Sequence, residues 1–155
     1  RECEYGADYN EYMWPISLTP TARIKTAQAQ VEQSVAGGRM IVESITYKRS
    51  EIGALMNISG HLGEKMSADD IDFITALEAD VNFGDDTIGV TNGGMMCFNA
   101  EGENIYFEDA MGGETFLITL SMGAGKEPAQ SASIAFKNYE TGERMDEFST
   151  ELVYE

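Results

Sequence analysis

Thr115-Phe116-Leu117-Ile118-Thr119-Leu120-Ser121 and Glu147-Phe148-Ser149-Thr150-Glu151-Leu152-Val153-Tyr154 decide the fold class of this chain. In the first stretch Phe116, Ile118 and Leu120 fall on one face of an extended backbone. In the second, Phe148, Thr150, Leu152 and Tyr154 share a face opposite Glu147, Ser149, Glu151 and Glu155. A period of two, with one face apolar and the other wettable, is the pattern of an antiparallel sheet buried on one side.

Working outward, further segments rich in β-branched and aromatic residues read as strands: Met40–Tyr47, Ala54–Ile58, Thr87–Thr91, Met95–Phe98, Asn104–Phe107 and Ala132–Asn138. Asn92-Gly93-Gly94, Glu101-Gly102, Gly112-Gly113 and Thr141-Gly142 punctuate them as turns. One helix is expected over residues 67–80. Ser67 supplies an N-cap with Asp70 three residues on, and Ile71, Ile74, Leu77 and Val81 follow at helical spacing. The stretch 21–35, with Ile24, Ala27, Val31 and Val35 near helical spacing, reads as a loop or short helix ended by Gly37-Gly38. These elements predict an antiparallel β-sandwich or small barrel of about eight strands, with one lateral helix. Residues 1–20 form an extended N-terminal arm, and residues 21–155 a single β-rich domain. At 155 residues the chain is long enough for one domain with its own core.

Ten basic residues stand against 27 acidic ones, a net charge of −17. Such a chain has too few cations for a phosphate-binding face, so direct nucleic-acid binding is not expected. No apolar run reaches the length of a membrane span. The charge is also lopsided: residues 1–66 hold eight acids and seven bases, whereas residues 67–155 hold nineteen acids and three bases. Within 21–50, Arg23, Lys25, Arg39, Lys48 and Arg49 outnumber Glu32 and Glu43. The arm carries Tyr5, Tyr9, Tyr12 and Trp14 among acids, with Pro15 and Pro20 holding a short piece extended. An aromatic cluster ahead of a β domain reads as a contact surface.

Arg1 in place of Met reads as the start of a mature, processed chain, and Cys3 and Cys97 as one disulfide. By chain entropy, closing a loop of that length contributes about 4 kcal/mol. Both features favour an oxidising compartment: extracellular, cell surface or virion. Asn57-Ile58-Ser59 is an N-glycosylation sequon.

No catalytic constellation stands out, and the chain is read as a non-enzyme. His61 is the sole histidine and has no nucleophile elbow with it. Three Cys and His residues, far apart, do not make a structural zinc site. Gly123-Ala124-Gly125-Lys126 lacks the spacing of a phosphate loop and reads as a hairpin turn. Among 27 acids, no pair is singled out for glycosidic chemistry. No cofactor is expected. Calcium is the one ion that the acidic turns suit, Asp85 and Asp86 first, then Glu108 and Asp109. Met95, Met96 and Met111 read as core filling.

Processing, charge polarity and the aromatic arm together favour a structural subunit that assembles with copies of itself, as an extracellular filament, sheath or virion tube or shell. Tyr5, Tyr9, Tyr12, Trp14, Arg23 and Lys25 would make the assembly contacts. The alternative is a secreted β-sandwich binding module for a carbohydrate or protein ligand, with calcium as a further ligand.

Overall fold

The computed structural model describes residues 23–84 and 90–155, with backbone only over 90–93. Among the described residues ten strands, one helix and two single-turn 3-10 segments follow in order: β1 (Lys25–Val35), β2 (Met40–Arg49), β3 (Ala54–Leu62), α1 (Ala68–Thr75), β4 (Leu77–Asn82), β5 (Val90–Phe98), β6 (Asn104–Ile105), β7 (Thr115–Met122), β8 (Ser131–Asn138), β9 (Arg144–Glu151) and β10 (Val153–Tyr154). Every strand pair is antiparallel. A seven-stranded sheet runs β10-β1-β2-β3-β7-β5-β6, and a three-stranded sheet runs β4-β8-β9. The sheets do not close into a barrel. They enclose one core in the manner of a sandwich, with Tyr47, Met56, Phe116 and Leu120 from the large sheet and Ile134 and Phe136 from the small one fully buried.

Both alternating stretches behave as read. Phe116, Ile118 and Leu120 are buried, as is Leu152, while Glu147, Ser149 and Glu151 are exposed. The last stretch serves two sheets, however: β9 pairs with β8, and after Leu152 the chain continues as β10 beside β1. Tyr154 Oη donates to the carbonyl of Ala129, fixing the crossing.

The N-terminal segment departs from its reading. Residues 25–35 form an eleven-residue strand, not a loop or short helix. Ala27, Ala29 and Val35 are buried and Val31 half-buried, so the true period is two. Ala27, Val31 and Val35 lie four apart, a spacing that satisfies both periods. The alternating Ala-Gln run hid the strand because Ala is a weak strand former and Gln favours helix. Pairing along β2 overrides that preference.

The helix also ends earlier than expected. Ser67 caps it as read: its hydroxyl accepts from Asp70 N at 3.2 Å, and the Asp70 carboxylate accepts from Ser67 N at 2.9 Å. Ile71 and Ile74 are buried. At Ala76 the chain leaves helical geometry, and the Ala76 carbonyl takes the backbone N–H of Tyr139. From there Leu77, Ala79 and Val81 line the inner face of β4, against β8. Leu77 and Val81 do face the core, but from a strand, since a spacing of four also fits a period of two.

Four one-residue bulges shape the sheets. On β1, Val31 and Glu32 stand against Glu43. On β2, Glu43 is the extra residue between the pairs Val42–Gly60 and Ser44–Ser59. The buried side therefore shifts from Met40 and Val42 to Ile45 and Tyr47. On β5 the bulge falls at Gly93-Gly94, so the expected turn at 92–94 is an irregularity within one strand. On β9, Asp146 and Glu147 stand against Ala135, with Asp146 left-handed at φ 53°. Two smaller readings change as well. Asn104–Phe107 is strand only over Asn104–Ile105, followed by a 3-10 turn. Gly123–Lys126 lies in a crossing between the sheets, not a hairpin, and Arg49 holds it through the carbonyls of Ala124 (2.7 Å) and Gly125 (3.2 Å).

Arg39 joins the β1–β2 turn to the helix. Its Nε donates to Asp70 Oδ1 at 2.7 Å, its Nη1 to the Ala36 carbonyl at 3.0 Å, and its guanidinium lies 4.4 Å from the Phe73 ring centre. The backbone N–H of Ser67, then Arg39 and the Ser67 hydroxyl, hold the Asp70 carboxyl at a pKa of about 2.

Two predictions follow from this geometry. A Cβ on Gly60 would lie 1.8 Å from the Ile41 carbonyl oxygen, so Gly60→Ala is expected to cost at least about 2 kcal/mol in urea denaturation; a loss near zero would mean that the bulge closes differently. Asp70 titrates lower in the folded chain than its ordinary 3.8, so its contribution is whole above that value and is lost as pH falls towards 2. The stability gap between wild type and Asp70→Ala should therefore be constant at neutral pH and shrink between about pH 4 and 2; a gap that does not change with pH would count against it.

Candidate interaction surfaces

Pairing of β1 with β2 brings Lys25, Lys48 and Arg49 together at one end of the large sheet. Lys25 lies opposite Arg49, and Thr26 opposite Lys48. The β2–β3 hairpin turns through Ser50–Gly53, with Ser50 N bonded to the Gly53 carbonyl at 2.9 Å, and lifts Ile52 to 96% exposure. Ile24, 65% exposed, and Leu55, 38% exposed, stand nearby. Ile24, Ile52, Leu55 and Met122 share a shallow depression of about 440 Å³ with Lys48 and Arg49. Arg49 spends its donors on the β7–β8 crossing, but Arg23, Lys25 and Lys48 have no acidic partner within 4.0 Å among the described residues. Exposed cations around exposed aliphatics form a surface suited to an acidic partner with an apolar centre.

The small sheet presents the opposite charge. Its outer face carries Glu78, Asp80, Glu147 and Glu151 with Lys137 and Arg144 among them. Arg144 reaches Asp80 at 3.3 Å and Glu147 at 4.0 Å, and Lys137 reaches Glu78 at 3.9 Å. Pairs this exposed add little stability, and the face stays acidic.

A recess of about 290 Å³ opens between the sheets, lined by Leu77, Ala79, Met95, Phe107 and Ile118, with Glu78 and Tyr139 contributing polar groups. It is mostly apolar and near the lower end of volumes that hold small ligands. A second hollow, of about 690 Å³, lies between β1 and β9, along Gln28–Gln30 and Ser149–Glu151.

The predicted site residues fall unevenly. Tyr5, Tyr9, Tyr12, Trp14 and Cys3 lie outside the described residues, as do Asp85 and Asp86. Arg23 and Lys25 are exposed, at the basic end. Cys97 is buried opposite Phe116 and joins no disulfide among the described residues; burial, then the charge of Glu114, pushes its pKa up. Asn57 sits mid-strand on the outer face of β3, its side chain accepting from Thr119 Oγ1 at 3.1 Å. His61 Nδ1 lies 2.8 Å from Glu43 Oε1 on the same outer face. Glu108 and Asp109 are exposed in the 3-10 turn, and no group of three or more His, Cys, Asp or Glu among the described residues is placed to hold a metal. No helix among the described residues is long and apolar enough to cross a membrane.

Sequence reasoning missed the surroundings of the charges. Ile24 and Ile52 are far apart in sequence, and only strand pairing reveals that they meet around Lys25 and Lys48. The chain matches no protein-family model, no curated protein and no solved structure.

Proposed function

We propose that this protein is a structural subunit that assembles with copies of itself, as an extracellular filament, sheath or virion tube or shell, with the N-terminal arm making the joint. The observation that carries this reading is the basic and apolar end: Arg23, Lys25 and Lys48 exposed beside Ile24, Ile52 and Leu55 on a chain of net charge −17. A body so acidic repels its copies. A basic end set against the acidic small sheet of a neighbour relieves that repulsion, and the exposed aliphatics add adhesion. Contact between two different surfaces is head-to-tail, the geometry of rings and filaments. Tyr5, Tyr9, Tyr12 and Trp14 would supply much of the apolar contact, as aromatic anchors do elsewhere. The reading places the protein outside the cell or in a virion, with other copies as its partner and neither enzymatic activity nor nucleic-acid binding.

A second reading is favoured by the apolar recess between the sheets. In it the protein is a secreted binding module for a carbohydrate or protein ligand, and calcium at the acidic turns would be its ion.

Electron microscopy and light scattering separate the two. The subunit reading expects large regular particles or fibres, and a monomeric domain after deletion of residues 1–20. Reversing Arg23 and Lys25 to Glu should slow assembly more at low salt than at high salt, because exposed charges are screened over about 8–10 Å at physiological ionic strength. A full chain that stays monomeric at every concentration and salt, or a truncated chain that assembles normally, would overturn it in favour of the binding module.

A further inference from the structure

The hollow between β1 and β9 is a slot with a sheet edge on either side. On its outer side β1 pairs with β10 at Ala27 and Gln28 and, among the described residues, at no further position. Across the slot, β9 pairs with β8 alone. Both ends are pinned. At one end β10 lies against β1, with Glu155 N bonded to the Thr26 carbonyl at 3.1 Å. At the other, Asp146 Oδ2 accepts from Ala36 N at 2.7 Å. Val31 and Phe148, on the inner faces of the two edge strands, are only half-buried.

The register shows which backbone groups of β9 look into the slot. Leu152 N donates to the Gln130 carbonyl, on the β8 side. In an antiparallel ladder residues alternate between the two sides, so Thr150 and Phe148 turn to β8, while Ser149 and Glu151 present N–H and C=O to the slot. Such an edge is a template for an added strand.

We infer that this slot receives the segment Ile16–Thr19 from the arm of a second copy of the chain, added as a strand along Ser149–Glu151. The inference rests on the assembly reading and names its acceptor. Ile16-Ser17-Leu18-Thr19 alternates apolar and polar residues, so Ile16 and Leu18 turn inward onto Val31 and Phe148 while Ser17 and Thr19 join the ladder. Pro15 and Pro20 flank the segment and limit pairing to the four residues between them, which suits the short open stretch of β9. Charge selects the same segment: Glu151 and Glu155 line the slot, and no charged residue occurs from Tyr12 to Ala22, whereas residues 1–11 are acidic. The segment is assigned to a neighbour because the assembly reading joins copies through this arm.

Trp14 is the single tryptophan and lies two residues before Ile16, so it reports insertion directly. The full chain is diluted through its assembly range while tryptophan emission and particle size are followed together. Insertion between copies predicts a blue shift that grows with concentration in step with size. Ser149→Pro removes a donor that faces the slot and leaves the β8 ladder intact, and should raise the concentration of half-shift by at least about tenfold with the circular dichroism unchanged. Should Ser149→Pro lose its sheet signal, Thr150→Arg, which fills the slot from β9 with a bulky charge, puts the same question. Assembly with the blue shift intact in a folded slot variant overturns the slot while leaving the assembly reading in place. A blue shift independent of concentration assigns the arm to its own chain and overturns the exchange. Absence of assembly at any concentration refutes the assembly reading itself.

Discussion

The crossing at Leu152 is the constraint on which the rest of the structure depends. A ten-stranded sandwich needs its two sheets held in one orientation, and here one continuous stretch, Arg144–Tyr154, belongs to both. Leu152 is buried where the chain passes from one sheet to the other, and the Tyr154 hydroxyl bonds to the Ala129 carbonyl beside the incoming end of β8. Tyr47 is fully buried in the same region, with the Ala129 backbone beside its own hydroxyl. Burial, opposed by the charge of Arg49, pushes the Tyr47 pKa up, and the phenol stays neutral.

The bulges follow from the same need to wrap one sheet across another. Each inserts a residue where a strand must change which face it buries or must bend. At Glu43 the inserted residue brings the β2 backbone against β3 so closely that only a glycine fits opposite, and Gly60 is there. At Asp146 the inserted residue is left-handed and spends its carboxylate on Ala36 N, itself the N–H of a left-handed residue. Backbone strain at two distant points in the chain is thus settled by one hydrogen bond, and that bond closes one end of the slot.

How much of this was legible depends on where local and long-range preferences agree. Residues 115–121 and 147–154 have strong β formers in strict alternation, and tertiary pairing only ratified them. Ser67 and Asp70 marked the helix start because capping is a local interaction of neighbouring residues. The helix end was not legible. Ile71, Ile74, Leu77 and Val81 continue a helical stripe on paper, and what stops it is the Tyr139 N–H, over sixty residues away, taking the Ala76 carbonyl. The strand at 25–35 was hidden for the same reason: its partner strand supplies the extended conformation that alanine and glutamine do not choose alone. Of the candidate surfaces, the charges could be read from composition, but the aliphatics that join them could not, since Ile24, Ile52 and Leu55 meet only when β1, β2 and β3 pair.

That meeting is also where fold and charge become one argument. An antiparallel hairpin places residues far apart in sequence at one end of the sheet, so Lys25 and Arg49 lie side by side although like charges opposite each other are unfavourable in a ladder. A single domain gains nothing from this pairing. Arg49 escapes it by turning to the carbonyls of Ala124 and Gly125, and Lys25 and Lys48 remain in solvent with no acid near them among the described residues. Exposed lysines are well solvated, so the fold itself neither gains nor loses much from their position. In the assembly proposed above, a neighbour's acidic sheet would meet these cations, and the repulsion between acidic bodies would be relieved, only at the basic end. Stacking in the reverse sense would set acid against acid, so in that proposal the charges that permit association also fix its direction.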